Sequence, residues 1–276
     1  MDKVLEVRNL GKVFGKGCSR CFDETGPKYE TNICPHCGSV VAAHDVSFDL
    51  YKGEILGIMG ESGSGKSTAV KNLFFDQEPS SGKATFFDEG KQYDLFSLNA
   101  AQKRHLRNHR FGMVYQNPVQ GLNFNVSAGG NIAERLLMND LRNYKEIRDR
   151  AIELLRRTEV LTERMDELPK NFSGGMQQRV QIAKALAINP PLLFLDEVTT
   201  GLDLSVQAAI LDLIMEIQQE RGTAMIAVTH DLGVIRLLAG RTIVMKYGRV
   251  IESGLTDQIL EDPQHAYTQR LVASAL

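Results

Sequence analysis

The sequence predicts an α/β fold built on a parallel sheet whose two faces are both covered by helices. The prediction comes from three short apolar runs, at residues 54–60, 192–197 and 224–230, each followed by residues with helical periodicity. Short apolar runs without alternation are typical of strands that are buried on both faces. When such strands alternate with helices they form parallel sheets, because the helices provide the crossovers.

Each of these runs ends in residues that suit ligand binding. The first ends in Gly60, the second in Asp196 and Glu197, and the third in His230. Ligands of open parallel sheets bind beyond the carboxyl ends of the strands. The three endings therefore indicate one binding site at one edge of the predicted sheet.

Length, composition and charge argue against a nucleic-acid-binding, a membrane-spanning or a secreted protein. The chain has 276 residues, 43% of them hydrophobic, which suffices for one large domain or one domain with a subdomain. Its 32 basic and 34 acidic side chains give a formal charge of −2, so no nucleic-acid partner is expected. No apolar run approaches the about 18 residues of a membrane span, and the first residues lack the apolar stretch of a signal peptide. We expect a cytoplasmic protein that reaches the inner face of the membrane only through a partner.

The other segments are assigned from periodicity and from helix- and strand-breaking residues. Residues 2–14 alternate between apolar and polar side chains, as an edge strand does. Residues 15–41 break that pattern with Gly, Pro, Cys and charged residues, and we interpret them as an insertion. Residues 66–75 and 117–167 have helical patterns, and a last helix and hairpin are predicted over 232–256.

A glycine-rich loop follows the first apolar run. Residues 60–68 read GESGSGKST and fit G-x-x-x-x-G-K-[ST] between a strand and a helix, the context that this motif requires. Glycines let successive N–H groups surround phosphate oxygens, and the helix start adds a favourable dipole. A chance Gly-Lys-Ser in a Gly/Ser-rich loop is the alternative, which this context disfavours. Lys66 would reach the β- and γ-phosphates, and the Ser67 hydroxyl would bind Mg²⁺. The predicted nucleotide-binding loop comprises Gly60, Glu61, Ser62, Gly63, Ser64, Gly65, Lys66, Ser67 and Thr68.

The endings of the second and third runs predict the remaining chemistry. Asp196 would hold Mg²⁺, directly or through water, and Glu197 could polarise the attacking water as a general base. Two acids that merely start a loop are the alternative, and the neighbouring phosphate-binding motif argues against it. His230 could donate a hydrogen bond to the γ-phosphate, although a lone histidine after a strand is more often a cap or a satisfied side chain.

A further motif gives a specific resemblance. Residues 172–179, FSGGMQQR, resemble the signature sequence of ABC-type ATPases and lie just before the Asp196 strand, as in that family. On these motifs the chain is identified as a member of the ABC transporter-type ATP-binding proteins. The resemblance implies an ABC cassette over 1–276, a P-loop NTPase with a RecA-like core, an antiparallel β subdomain and a helical subdomain. It places the helical subdomain at 117–170 and assigns to it the docking of a partner.

The resemblance also implies the role of each site residue. Phe14 would stack on adenine, although a single Phe on an edge strand is as often a core residue. The implied catalytic residues are Glu197, His230 and Gln116; the implied Mg²⁺ ligands are Ser67, Gln116 and Asp196; the implied nucleotide contacts outside the loop are Phe14, Ser173, Gly174, Gly175 and Asp203.

Two positions depart from the family pattern. The signature usually ends in Gln, where this chain has Met176, and the acidic strand is often followed by Pro, where it has Val198. Met176 removes one polar contact at the implied dimer interface. The backbone N–H groups of residues 173–175 remain, so we expect ATP hydrolysis to survive.

The signature implies an assembly as well as a site. Ser-Gly-Gly at a helix start is a second anion-binding surface. In the family, two cassettes pack head-to-tail, and each ATP lies between the phosphate loop of one and the signature of the other, a twofold arrangement. The resemblance thus implies ATP and Mg²⁺ as cofactors and a second cassette, either a copy of this chain or a paralogue, as a partner.

Four stretches resemble one branch of the family, the PhnK-type ATPases of the carbon–phosphorus lyase system. They are residues 126–135, 201–213, 228–241 and 250–274. This branch implies phosphonate metabolism and soluble lyase core subunits as partners. The alternative is the ATP-binding subunit of a dipeptide or oligopeptide importer with a membrane permease, since those ATPases share the ending Pro-x-His-x-Tyr-Thr found at 263–268. A nucleic-acid ATPase is disfavoured, because DNA-repair members have two cassettes and this chain has one.

All four cysteines of the chain lie within the predicted insertion. Cys18, Cys21, Cys34 and Cys37 form two C-x₂-C pairs separated by 12 residues, a spacing that suits tetrahedral Zn²⁺. We predict a zinc-ribbon-like module over 15–41. A rubredoxin-type iron centre would use the same ligands, and four unrelated structural cysteines are the simplest alternative. The module could be a docking surface or only a staple for a loop, and His36 is interpreted as a bystander rather than a ligand.

Overall fold

The computed structural model describes residues 2–274. Its strands are β1 (Lys3–Phe14), β2 (Val40–Tyr51), β3 (Ile55–Met59), β4 (Ser81–Asp88), β5 (Lys91–Asp94), β6 (Phe111–Val114), β7 (Leu192–Asp196), β8 (Ala224–Val228), β9 (Arg241–Lys246) and β10 (Arg249–Leu255). Its α-helices are α1 (Lys66–Leu73), α2 (Ala100–His109), α3 (Pro118–Gly121), α4 (Ala128–Met138), α5 (Tyr144–Arg157), α6 (Gly174–Leu186), α7 (Leu204–Arg221), α8 (Leu232–Leu238), α9 (Thr256–Glu261) and α10 (Ala266–Ala273).

The described chain divides into two compact units. The first unit contains residues 2–103 and 224–274, and the second contains residues 104–223. Antiparallel strands, parallel strands and helices all occur, so the predicted α/β class is confirmed. Within residues 2–274, no helix combines the length and the apolar character that crossing a bilayer requires.

An antiparallel sheet in the first unit has the strand order β2-β1-β4-β5. The expectation that residues 2–14 form an edge strand is wrong, because β1 pairs with β2 on one side and with β4 on the other. Leu5, Val7 and Leu10 supply the buried face of β1. The alternation in the sequence reports that one face is buried, and an interior strand of a half-exposed sheet alternates in the same way.

The parallel strands of the first unit centre on β3. β3 pairs in parallel with β8 on one side and with β9 on the other, and β9 continues antiparallel to β10. Every residue of β3 and β8 is buried, as the unbroken apolar runs predict. A cluster around Met59 joins the end of β3 to α8, α9 and α10 through Ile235, Ile259 and Tyr267.

The two C-terminal helices were not predicted from the sequence. The pattern predicted a helix and a hairpin over 232–256, which correspond to α8, β9 and β10, and α9 and α10 follow them. α9 has 6 residues and α10 has 8. A helix of about two turns shows too few repeats of its apolar face for periodicity to identify it.

The second unit combines one parallel pair of strands with helices. β6 pairs in parallel with β7, and both strands are buried along their whole length. α4, α5 and α6 pack against one another. Asn143 begins α5 by accepting bonds from the N–H groups of Lys145 and Glu146, which is a side-chain cap. The predicted helical region 117–170 contains α3, α4 and α5, and its role as a separate subdomain stays a prediction.

The residues between β1 and β2, here called the cysteine segment (15–39), contain little regular structure. One short 3₁₀ turn covers Pro27–Tyr29, and isolated bridges pair Gly26 with Thr31 and Ile33 with Val40. β2 begins at Val40, so the last two residues of the predicted insertion, 40 and 41, belong to this strand.

Candidate functional site

The loop between β3 and α1 has a path that only glycine permits at two positions. Gly60 has φ 146° and Gly65 has φ 105°. A Cβ atom built on Gly60 would lie 2.2 Å from the carbonyl oxygen of Met245, and one built on Gly65 would lie 2.0 Å from that of Ala42. Neither oxygen belongs to a flexible side chain, so any larger residue would displace the backbone of the loop.

Lys66 closes this loop on itself. The Nζ of Lys66 donates to the carbonyl oxygens of Gly60 at 2.7 Å and Glu61 at 2.8 Å, and the side chain is buried. α1 begins after Gly65 without a side-chain cap, and Ser67 and Thr68 lie in its first turn. The start of a helix beside a buried ammonium group suits a polyphosphate, because the helix dipole and the ammonium charge both favour negative charge. The loop therefore fits the phosphates of ATP.

Tyr267 of α10 also contacts the loop, a contact that no sequence motif predicted. The hydroxyl oxygen of Tyr267 accepts a hydrogen bond from the backbone N–H of Glu61 at 2.9 Å. Burial raises the pKa of the Tyr267 hydroxyl, which therefore stays protonated at neutral pH. The Nζ of Lys246 lies 4.5 Å from the centroid of the Tyr267 ring. The ending Pro-x-His-x-Tyr-Thr contains this tyrosine, but the motif indicated only a relationship to the peptide-importer ATPases and no contact with the loop.

The predicted acidic residues follow β7 in the second unit. Asp196 is the last residue of β7 and is buried. Glu197 adopts the left-handed conformation with φ 51°, which turns the chain after the strand. The Nε2 of Gln116 donates to a carboxylate oxygen of Glu197 at 2.6 Å. The fold thus brings together two residues that the sequence assigns to the same reaction.

Gln181 on α6 fixes the residue that precedes Gln116, a role that the sequence motifs did not predict. Its Oε1 accepts from the N–H of Tyr115 at 2.8 Å, and its Nε2 donates to the carbonyl of Tyr115 at 2.9 Å. Gln181 is almost fully buried. A buried side chain that satisfies both backbone groups of one residue determines its position closely. FSGGMQQR ends before Gln181, so the motif gave no signal for it.

The signature residues occupy the start of α6, as predicted. Ser173 is the N-cap residue, and its hydroxyl oxygen accepts from the N–H of Met176 at 3.3 Å. A Cβ atom built on Gly174 would meet no atom within 4 Å among the described residues outside its chain neighbours and its own helix. Packing against the described residues therefore does not require glycine at this position. At the departure from the family pattern, the guanidinium of Arg164 donates to the Met176 sulfur at 3.4 Å.

The remaining predicted residues lie at the ends of their elements. Asp203 is the N-cap residue of α7, and hydrogen bonds from the Val206 N–H and the Ser205 hydroxyl lower the pKa of its carboxyl. His230 is exposed and follows β8. Phe14 ends β1 with 40% of its side chain exposed, and the Nζ of Lys12 lies 5.0 Å from its ring centroid.

The four cysteines form a compact cluster. Their sulfur atoms lie within 4.8 Å of one another, and no disulfide joins them. Cys18 lies 3.6 Å from both Cys21 and Cys34, sulfur to sulfur, and Cys21 lies 3.4 Å from Cys37. Sulfur atoms at the corners of a tetrahedral Zn²⁺ site with bonds of about 2.3 Å are roughly 3.8 Å apart. The donor set and its spacing therefore fit one tetrahedral metal ion.

The cysteine segment is tied to the rest of the first unit. The guanidinium of Arg249 donates to the carbonyl oxygen of Phe22 at 2.6 Å, and the rings of Phe22 and His44 stack with centroids 4.2 Å apart. The Nδ2 of Asn32 donates to the carbonyl oxygen of Gly63 at 3.4 Å. The last contact reaches the phosphate loop itself.

The structure therefore forms several parts of the predicted site within single units. The first unit contains the phosphate loop, Phe14 and His230, and the second contains the contact between Gln116 and Glu197. The assignments to Mg²⁺ and nucleotide stay predictions for each of these residues.

Comparison with known proteins identifies the family. The family model described as ABC transporter matches residues 43–200. The phosphonates utilization ATP-binding protein PhnK of Escherichia coli (strain K12) is 50% identical over 232 residues, which cover 84% of this chain and 90% of that protein. The oligopeptide transport ATP-binding protein OppD of Bacillus subtilis (strain 168) is 41% identical over 242 residues, which cover 86% and 67% respectively.

A solved structure agrees with these matches. It is the dimeric post-hydrolysis state of the ATP-binding cassette MJ0796 bound to ADP and Pi, with a TM-score of 0.77 at 28% identity. The likeness covers 91% of this chain and 98% of that one. Since the family model also spans more than half of the sequence, the chain belongs to the ABC transporter family of ATP-binding cassettes and is an ATPase.

Proposed function

We propose that this chain is the ATP-hydrolysing subunit of a phosphonate-utilization system of the carbon–phosphorus lyase type. The observation that supports the proposal is the 50% identity with the phosphonates utilization protein PhnK over 90% of that protein's length. A second cassette, identical or paralogous, and soluble lyase core subunits would be its partners. No nucleic-acid partner is proposed, and the chain would be cytoplasmic, meeting the membrane only if a partner does.

The residues near the phosphate loop would bind and orient ATP. Lys66 and the N–H groups at the start of α1 would hold the phosphates, and Phe14 would contact the adenine. When bound, Mg²⁺ neutralises charge on the phosphates, and Ser67, Gln116 and Asp196 are the residues that would hold it. His230 would donate to the γ-phosphate.

Glu197 would accept the proton of the attacking water as general base. The bond from Gln116 orients its carboxylate, and the same amide could instead orient the water once the carboxylate has turned toward it. Ser173, Gly174, Gly175 and Asp203 would contact the nucleotide of the second cassette, for which the open space around Gly174 leaves room.

The ATP-binding subunit of a peptide importer is the alternative function, and one observation supports it. OppD is 41% identical, and its name describes oligopeptide transport. The partner separates the two functions, since an importer would need a membrane permease. Affinity purification of the tagged chain from detergent-treated cells of its source organism should recover soluble lyase subunits. Recovery of a permease and a peptide-binding protein instead would replace the phosphonate proposal with the importer one.

We further propose that Cys18, Cys21, Cys34 and Cys37 hold one structural Zn²⁺ ion. The support is the approach of the four sulfur atoms to within 4.8 Å of one another without disulfides. Elemental analysis of protein purified under reducing conditions should find about one zinc per chain. Iron in the same amount would make the site a rubredoxin-type centre. The absence of both zinc and iron would contradict the proposal of a metal site.

A further inference from the structure

An apolar row crosses three adjacent chain segments beside the phosphate loop. In the antiparallel ladder Phe14 is paired with Val40, and an isolated bridge pairs Val40 with Ile33. Directly paired residues direct their side chains to the same face of a sheet. Phe14, Val40 and Ile33, here called the apolar row, therefore share one face and span two strand spacings, about 10 Å. The two outer members are exposed, Phe14 by 40% and Ile33 by 52%.

The opposite face of the same segments explains why the apolar row faces outward. Val13 is paired with Val41, and both pack against Cys34 and the other buried cysteine. Successive side chains alternate between faces. Phe14 follows Val13, Val40 precedes Val41 and Ile33 precedes Cys34, so these three neighbours form the apolar row on the other face. Bonds from the Val41 N–H to the Asn32 carbonyl at 2.8 Å and from the Cys34 N–H to the Ser39 carbonyl at 2.9 Å fix this register.

The apolar row adjoins the phosphate loop at two points. Ala42 lies two residues beyond Val40, and its carbonyl oxygen is the atom that a Cβ on Gly65 would strike. Asn32, next to Ile33, donates from Nδ2 to the carbonyl oxygen of Gly63 at 3.4 Å. An exposed apolar surface therefore begins where the loop ends, and part of it comes from the cysteine segment.

We propose that Ile33 acts with Phe14 and Val40 as the binding surface for the adenine base of ATP, so that the cysteine segment completes the nucleotide site. The inference rests on the proposed function, in which the loop 60–68 binds the phosphates. A purine is flat and largely apolar on its faces, and it binds where such a surface is removed from water with it. The ligand that unites an apolar surface with an adjoining phosphate loop is a purine nucleoside triphosphate.

The test compares a ligand that has a base with one that has none. Isothermal titration of the metal-loaded protein with ATP and with inorganic tripolyphosphate, both with excess Mg²⁺, reports the two affinities. Ile33→Ala should weaken ATP binding about fivefold, because it removes apolar area that the base would cover, and should leave tripolyphosphate binding unchanged. Tyr29→Ala, which truncates another exposed side chain of the cysteine segment outside the apolar row, should change neither affinity.

The outcomes separate failure of this inference from failure of the proposed function. Ile33 is half exposed, so its truncation should preserve the fold, and an unchanged metal content per chain checks this. Unchanged ATP affinity in Ile33→Ala, or equal losses for ATP and tripolyphosphate, would overturn the role of Ile33. Lys66→Ala should weaken both ligands. If Lys66→Ala weakens neither ligand, the phosphate loop has been misassigned, and the proposed function fails whatever the result for Ile33→Ala.

Discussion

At the scale of single residues, the phosphate loop is held by bonds to its backbone from distant parts of the chain. The N–H of Gly248 donates to the carbonyl oxygen of Ser64 at 2.9 Å, and the hydroxyl of Tyr267 accepts from the N–H of Glu61 at 2.9 Å. Bonds to backbone groups fix the path of a loop whatever its side chains do. If the loop binds ATP as predicted, binding depends on the direction of its N–H groups, and the residues that hold this path would be positioning residues for ATP.

The hydroxyl of Tyr267 can be removed without disturbing its ring. We expect Tyr267→Phe to raise the KM for ATP about threefold to tenfold, because one hydrogen bond to the loop is lost. The kcat at saturating ATP should change little, since the mutation leaves the acidic residues untouched. Steady-state ATP hydrolysis over a range of ATP concentrations measures both parameters.

Tyr247→Phe is the matched control for this variant. The Nζ of Lys246 lies 5.1 Å from the Tyr247 ring centroid and 4.5 Å from that of Tyr267, so both tyrosines contact the same cation. Tyr247→Phe should leave the KM unchanged. Equal effects of the two variants would mean that the hydroxyl of Tyr267 has no particular role at the loop.

Sequence patterns reveal some of these residues and hide others for a physical reason. Lys66 and Asp196 belong to motifs in which neighbouring residues act together, so a short window of sequence contains the signal. The bond between Tyr267 and Glu61 joins positions 206 residues apart. Gln181 likewise contacts Tyr115 from 66 residues away. Long-range contacts of this kind depend on the whole fold, and no local periodicity reports them.

At the scale of elements, the cysteine segment has too small an apolar core to fold unaided. Its buried cluster consists of Cys21, Cys34 and Val41, with Val13 and Phe22 partly buried against it. Two of these five residues belong to the flanking strands β1 and β2. Segments with so little apolar burial depend on a metal or a disulfide for their order, and the cysteines here are not bonded to one another.

Cys34→Ser should therefore release the metal and disorder the cysteine segment. Elemental analysis would report the loss of zinc, and limited proteolysis would locate new cleavage within 15–39. The rest of the chain buries its own strands and helices, so its thermal unfolding should persist. ATP affinity should fall about as much as in Ile33→Ala, about fivefold, because Ile33 would lose its place once the proposed metal is lost.

The control for this variant is Ser19→Ala, an exposed substitution inside the first C-x₂-C pair. It should retain the metal and leave the cleavage pattern unchanged. Retention of one zinc per chain by Cys34→Ser would exclude Cys34 as a necessary ligand, and an intact segment without metal would show that it folds by packing alone.

The elements also show where sequence patterns are ambiguous. The apolar runs of β3 and β8 identify buried parallel strands correctly, because only strands covered on both faces lack alternation. β1 alternates, and that pattern did not distinguish its interior place in the sheet from an edge. For the cysteine segment the spacing predicted that the four cysteines act together, whereas the contact of Asn32 with Gly63 depends on how the segment folds back.

At the scale of the whole molecule, each unit contains some of the residues that the sequence predicts to act on ATP. Lys66 belongs to the first unit, and Gln116 and Glu197 belong to the second. Gly174 lies beside open space, since a Cβ atom placed there would meet no described atom within 4 Å outside its chain neighbours and its own helix. Binding of ATP by two cassettes would explain why this position is glycine.

Glu197→Gln should separate ATP binding from ATP hydrolysis. It should thereby also separate the joining of two cassettes from their release. The amide has the shape of the carboxylate, and its oxygen can still accept the bond from Gln116, so the local structure should persist. It cannot accept a proton from water, and we expect turnover to fall at least about a hundredfold.

ATP should then remain bound and hold two cassettes together, so light scattering should find a dimer that forms with ATP and not with ADP. Lys66→Ala, which lacks the charge facing the phosphates, should stay monomeric with either nucleotide. Wild-type turnover by Glu197→Gln would remove this residue from its catalytic role, and a variant that binds ATP without turnover yet stays monomeric would show that ATP does not join two copies of this chain.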